Sequence, residues 1–193
     1  MSAPSPQTRL EAINTMLGAV WETPVSSLTA TGIASVSLAV RIFDSTLRSV
    51  LARGWAFNTE HEYPLSIDVN GKCPLPENTL SVDPDGDSAY INGVQRGSFL
   101  YDRGEHTFLF PNVDTVYATI ILGLDYTDIP ETAKEYVTML ATRRFRAEYL
   151  QQPEGEATSA EIEALRNLEE TEADTGDHNV LTGNCSVNRI LTR

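Results

Sequence analysis

Cysteine is scarce in this 193-residue chain: there are two, Cys73 and Cys185. Two thiols so far apart supply neither a disulfide framework nor the ligand set of a metal site, so both read as free, inert thiols. Long hydrophobic runs are missing too. The longest apolar stretch, near Val116–Leu124, falls short of the roughly 20 residues a helix needs to span a bilayer. The N-terminal Met1-Ser-Ala-Pro-Ser-Pro-Gln7 has neither the basic nor the apolar region of a secretory signal, so a short flexible lead-in, cytoplasmic assembly and no membrane partner are expected. Positive charge is short as well: 14 Lys and Arg stand against 27 Asp and Glu, a net charge of −13. A protein that grips nucleic acid needs cations to displace counterions from phosphates, and this chain has the opposite sign. Lysine is the rarer cation, with only Lys72 and Lys134. Arginine pairs bidentately with carboxylates and sheds water more readily, which favours it at protein interfaces.

Signatures of catalysis fail at particular positions. His61-Glu62 begins like a zinc-protease helix, but the second histidine is replaced by Leu65, and Pro64 would break the helix. His61, His106 and His178 are scattered over loop-like sequence and read as surface histidines. Asp83, Asp85 and Asp87 alternate as in a calcium loop, yet Gly86 and Val94 stand at the wrong loop positions, so a solvated turn is the better reading. Phosphate-cradling glycine loops, a nucleophile elbow and a dinucleotide fingerprint are absent. With so many acids, some pair of carboxylates must lie close by chance. A glycan hydrolase acting on a cell surface is therefore the rival reading, although its acid must be buried to hold a proton.

What is present is an ordinary hydrophobic fraction of 41%, enough for a packed core. Thr8-Arg-Leu-Glu11 predicts a capping box opening a helix, with Leu10, Ile13, Leu17 and Val20 recurring at helical spacing and Gly18 near its end. A second helix is predicted from Ile33 to Arg53, with Val36, Val40, Phe43, Leu47, Val50 and Leu51 on one stripe and Gly54 stopping it. Turn residues then punctuate short alternating runs: Ala89–Ile91, Ser98–Tyr101, Phe108–Phe110 and Val116–Leu122. Ile91-Asn-Gly-Val94 is the expected hairpin tip. Asp128-Ile-Pro-Glu131 opens a third helix, with Ala133, Val137, Leu140, Ala141 and Phe145 inward and Arg143, Arg144 and Arg146 near its C-terminal end, where cations suit the helix dipole. Thr158-Ser-Ala-Glu161 caps a fourth, with an apolar line of Ile162, Leu165 and Leu168. Nine acids crowd Gln151–His178 against the one cation Arg166. From Gly176 the periodicity stops, and an extended tail carrying Arg189 and Arg193 is expected.

The fold class is therefore α+β, a four-helix bundle-like core with an embedded β-rich region. Its expected parts are a first helical pair over 1–54, the β-rich region over 55–127, a second helical pair over 128–175 and the tail over 176–193.

Several phrases carry a resemblance. Leu17-Gly-Ala-Val-Trp-Glu-Thr-Pro-Val-Ser-Ser-Leu28, Arg53-Gly-Trp-Ala-Phe-Asn58, Tyr101-Asp-Arg103, Leu124-Asp-Tyr-Thr-Asp-Ile-Pro-Glu131 and the final Leu191-Thr-Arg193 resemble the tail tubular protein A (tail adaptor) family of short-tailed podovirus bacteriophages. Arg53–Asn58 is the most specific of them, and Leu65–Val94 departs most. The resemblance implies a structural virion protein, not an enzyme, with no cofactor. Twelve copies would form a ring between the portal protein and the hexameric nozzle (tail tubular protein B), near the tail fibre, and double-stranded DNA would pass through without specific binding. No catalytic, metal or cofactor residue is expected. The expected contact residues are Arg53, Trp55, Arg143, Arg144, Arg146, Glu161, Glu163, Arg189 and Arg193, with the basic cluster either forming local ion pairs or meeting the acidic fourth helix of the next copy. The basic tail is expected to dock on the portal.

Overall fold

The computed structural model describes residues 5–29 and 33–183, without the side chains of 176–183. It shows a mixed α+β chain divided into two compact units: one holds the helices, and the other spans Leu51–Leu124.

In the helical unit, α1 (Arg9–Gly18) opens with the expected capping box. The Glu11 amide donates to Thr8 Oγ1 at 3.2 Å, and Glu11 Oε2 accepts from the Thr8 amide at 2.7 Å. Its buried face is Ala12, Ile13, Met16 and Leu17. Helix α2 (Ala34–Leu51) buries Val36, Ala39, Ile42, Phe43, Thr46, Val50 and Leu51. Val40 and Leu47, expected on that stripe, are only half-buried. The small Ala39 and Thr46 turn inward instead, a choice made by packing and not by hydrophobicity. Helix α3 (Glu131–Tyr149) follows Pro130 at its N-cap, and its expected stripe of Ala133, Val137, Leu140, Ala141 and Phe145 is buried throughout.

Helix α4 (Ser159–Gly183) corrects two expectations. Glu161, Ala164 and Leu168 face inward, while Ile162, read as the start of the buried line, is 51% exposed. Arg143 draws the Glu161 carboxylate in, and a neighbouring residue lies roughly 100° round the helix, which carries Ile162 outward. The second correction is the tail: residues 176–183 continue the helix and are not extended. Adding residues to a nucleated helix costs little even at Gly176. Residues 184–193, with Arg189 and Arg193, lie outside the described residues.

A polar knot around Tyr126 holds Gln7, just ahead of α1, against the helices. Tyr126, in a 3-10 turn over Tyr126–Asp128, is 1% exposed and meets Phe43 edge-on at 5.0 Å between centroids. Its hydroxyl donates to Gln7 Oε1 at 2.7 Å, which also accepts from Thr138 Oγ1 at 3.1 Å. The buried Lys134 ammonium lies 5.8 Å from the Tyr126 ring centre. Burial pushes the Tyr126 phenol up from 10.0 to about 12. Above pH 10 the unfolded chain therefore binds fewer protons than the folded one, so stability falls as pH rises. Spectrophotometric titration at about 295 nm should show one tyrosine withheld until near the folded value, and Tyr126→Phe should flatten the alkaline loss of stability. An unchanged slope in that variant would contradict this account.

The second unit is built on an antiparallel sheet of β1 (Thr59–Ser66), β2 (Thr79–Pro84) and β5 (Thr115–Leu122), in the order β1-β5-β2. Val116, Ala118 and Ile120 alternate inward from the central strand onto Leu65, Val82, Leu100 and Phe110. The edge positions of β1 and β2 tolerate Pro64 and Pro84, because an edge strand can do without one ladder donor. Strand β1 is bulged between Glu60 and Tyr63, with Glu62 at φ 51. A hairpin of β3 (Gly93–Arg96) and β4 (Phe99–Asp102) completes the unit.

Three β expectations need correction here. Arg96 pairs with Phe99, so the hairpin turns at Gly97-Ser98, with Gly97 at φ 62, and not at Ile91–Val94. Gly93 is there for space: a Cβ would come within 2.6 Å of Pro84 Cγ. Ala89–Ile91 is turn, and Phe108–Phe110 contributes only an isolated bridge from Leu109 to Lys72.

Candidate interaction surfaces

The phrase Arg53–Asn58 folds into a tight corner. Gly54 has φ 73, and a Cβ there would lie 2.7 Å from Ile121 Cδ1, so both the conformation and the close approach call for glycine. Asn58, 2% exposed, donates from Nδ2 to the carbonyls of Leu51 (2.9 Å) and Leu122 (2.8 Å), and its Oδ1 accepts from the Trp55 amide at 2.8 Å. Trp55 is 9% exposed beneath the Arg53 guanidinium, 5.2 Å from the ring centre. Of the two contact residues expected here, only Arg53 stands exposed on the single chain.

The basic cluster of α3 splits three ways. Arg143 grips Glu161 bidentately, Nε to Oε2 at 2.8 Å and Nη2 to Oε1 at 2.9 Å, while Nη1 donates to Glu154 at 2.5 Å and to the Gly155 carbonyl at 3.1 Å. The Arg143 and Glu161 side chains are 22% and 5% exposed, so this pair is an internal clamp between α3 and α4. Arg144 is half-buried and donates to Thr46 Oγ1 on α2 at 3.3 Å. Arg146 is exposed, as is Glu163 on α4. The local branch of the sequence reading thus accounts for Arg143 and Glu161, which leaves Arg146 and Glu163 open to a neighbour.

Groups tested for chemistry are occupied structurally. His61 Nδ1 sits 3.0 Å from Thr119 Oγ1, whose hydroxyl donates to Asp85. Among the described residues, no three of His, Cys, Asp and Glu gather to hold a metal, and no helix is long and apolar enough to cross a membrane. Cys73 is fully buried, and desolvation, aided by Asp68, pushes its thiol up to about 11. Glu161 is the one buried carboxylate among the described residues, and both its oxygens are taken by Arg143.

The tail tubular protein family matches residues 10–178, from the first turn of α1 to late in α4. This chain belongs to that family. Tail tubular protein A of Klebsiella phage KP34 is 32% identical to it over 169 residues, covering 82% of this chain and 87% of the relative. Family membership makes the chain a structural component of a bacteriophage tail, within the virion.

For a tail protein, the surfaces left uncovered matter most. Trp21 is 97% exposed, although a tryptophan is a costly residue to leave in water. It also sits at φ 63, the left-handed position of the turn that follows α1, where the Trp21 amide bonds the Gly18 carbonyl and the Glu22 amide bonds that of Leu17. Glycine usually takes that place. The side chain of Glu22 accepts from the Tyr149 hydroxyl, which fixes the turn against α3. Nothing in the spacing of Trp21 separates an exposed tryptophan from a core one, so its exposure is not legible in the sequence. Arg41 and Arg48 project from the outer face of α2, off its buried stripe as the sequence pattern places them, although neither was among the expected contact residues.

Proposed function

We propose that this chain is the adaptor of its tail: twelve copies close head-to-tail into a ring between the portal and the nozzle, with the tail fibre nearby, and double-stranded DNA passes through. The family match over residues 10–178 is the observation that carries this reading. The charge supports it. A ring of chains that each carry −13 presents an acidic wall, which repels the phosphate backbone and gives it no multi-cation grip. Heterologous contacts of this kind close into a ring when each interface turns by a fixed fraction of a circle. Assembly takes place in the host cytoplasm before the tail joins the filled head, and the chain acts without a cofactor.

Negative-stain imaging of the purified chain mixed with portal tests the proposal. Rings with twelvefold class averages seated on portal are the expected result. A chain that stays monomeric at high concentration and with portal overturns it. A ring that retains duplex DNA on a gel at physiological salt overturns the conduit role.

A further inference from the structure

Helix α4 is a long helix with very little of itself buried. Among its described side chains only Glu161, Ala164 and Leu168 are buried, while Ile162 stands 51% exposed. Helices in water draw most of their stability from packing an apolar face, and α4 has only a narrow one. Its outer stripe of Glu163, Asn167, Glu170 and Asp174 is exposed, and none of these acids makes an ion pair among the described residues.

Helix α2 offers the opposite face. Its exposed stripe is Ala34, Ser37, Arg41, Ser45, Arg48 and Ser49, small residues broken only by two cations; Asp44, the one carboxylate of the helix, borders it partly exposed and is paired with Arg9 at 2.6 Å. Arg48 makes no ion pair among the described residues. Arg41 meets Glu148, but both side chains are at least half exposed, so that pair is worth little and exchanges easily. Small residues let a second helix approach closely, and the charges set which helix is welcome.

Spacing and position agree with charge. Arg41 and Arg48 are separated by the same interval as Glu163 and Glu170, two helical turns or about 10.5 Å, with Ser45 and Asn167 in the matching places between them. Within one chain the two faces cannot serve each other easily, because α3 stands between their helices. Arg143 reaches α4 and the adjacent Arg144 reaches α2, and adjacent positions point roughly 100° apart on a helix.

We infer that the acidic face of α4 docks on the arginine face of α2 in a second copy of this chain, and that this contact is the repeating joint of the ring. The inference rests on the ring reading and names its interface. It moves the basic partner of α4 from α3, where Arg143 is already engaged, to Arg41 and Arg48.

Two charge-inverted variants test it. In R41E/R48E both faces are acidic, and in E163R/E170R both are basic. Like charges facing each other across an interface oppose association strongly, so each variant alone should lose roughly a hundredfold or more in self-association. Mixed one to one, the two should assemble again, since each acidic face then meets a basic one in strict alternation. Analytical ultracentrifugation and negative stain read the outcome, and circular dichroism shows that each variant is folded. Rings from either variant alone, or a folded mixture that fails to assemble while the parent does, overturn the assignment of these faces and leave the ring reading standing. A parent that forms no ring, alone or with portal, overturns both.

Discussion

Arg143→Ala is expected to destabilise the helical unit by about 3 kcal/mol, the cost of stranding a charge when one partner of a buried pair is removed. The Glu161 side chain is 5% exposed and has both oxygens on the guanidinium. Without Arg143 it must either hold a charge away from water or break α4 loose to hydrate it. The apolar attachment to be overcome is small, chiefly Ala164 and Leu168. Helix α4 should therefore come away before the rest of the unit unfolds, and its amides should exchange hydrogen faster than those of α3. Arg143→Lys keeps the charge but not the planar fork, so it should fall between parent and alanine. The double variant R143M/E161L removes both charges and should recover most of the loss, since well-packed apolar replacements of buried pairs are commonly neutral or stabilising. Urea unfolding of the set decides the matter. A loss in Arg143→Ala no larger than that of an exposed pair, under about 1 kcal/mol, would show that the clamp does not hold α4.

The parts of this fold that were legible in the sequence are those set by neighbours along the chain. The Thr8–Glu11 capping box and the α3 stripe from Ala133 to Phe145 need only local geometry, and both stand as read. Strand β1 leaves little trace in the sequence, because it is an edge strand whose Leu65 alone is well buried and because Pro64 argues locally against any strand. The hairpin tip was misplaced because Asn92-Gly93 and Gly97-Ser98 look alike as turn sequences. Only the approach of Pro84 and Leu100 to Gly93 separates them. The rotation of α4 likewise depends on Arg143 reaching across to Glu161, a contact between helices that no periodicity within α4 contains. The same limit applied to the contact surfaces. Arg143 and Arg146 are equivalent by spacing, and only the loop that brings Glu154 and Glu161 alongside makes one internal and leaves the other outside.

Asn58→Ala should cost roughly 3 kcal/mol, because it removes three hydrogen bonds at once from a buried corner, those to the Leu51 and Leu122 carbonyls and that from the Trp55 amide. Asn58→Asp should cost more at neutral pH. The carboxylate can still accept from the Trp55 amide, but its second oxygen would face two carbonyl oxygens where an amide had donated. Protonation restores one donor, so the deficit of the aspartate variant should shrink as pH falls into the carboxylic range, while that of the alanine variant stays level. That divergence separates a hydrogen-bonding role from simple cavity formation, which would leave the two variants parallel with pH. The neighbouring Gly54→Ala should destabilise by a different route, since its Cβ meets Ile121 Cδ1 and its φ of 73 strains an alanine, and it should show no such pH dependence. Arg53–Asn58 then reads as the recipe for a corner: a glycine to turn, a tryptophan to cover and an asparagine to bond what the turn leaves open. Its strength as a family signature follows from that, since each of these residues answers a separate physical demand of the same bend.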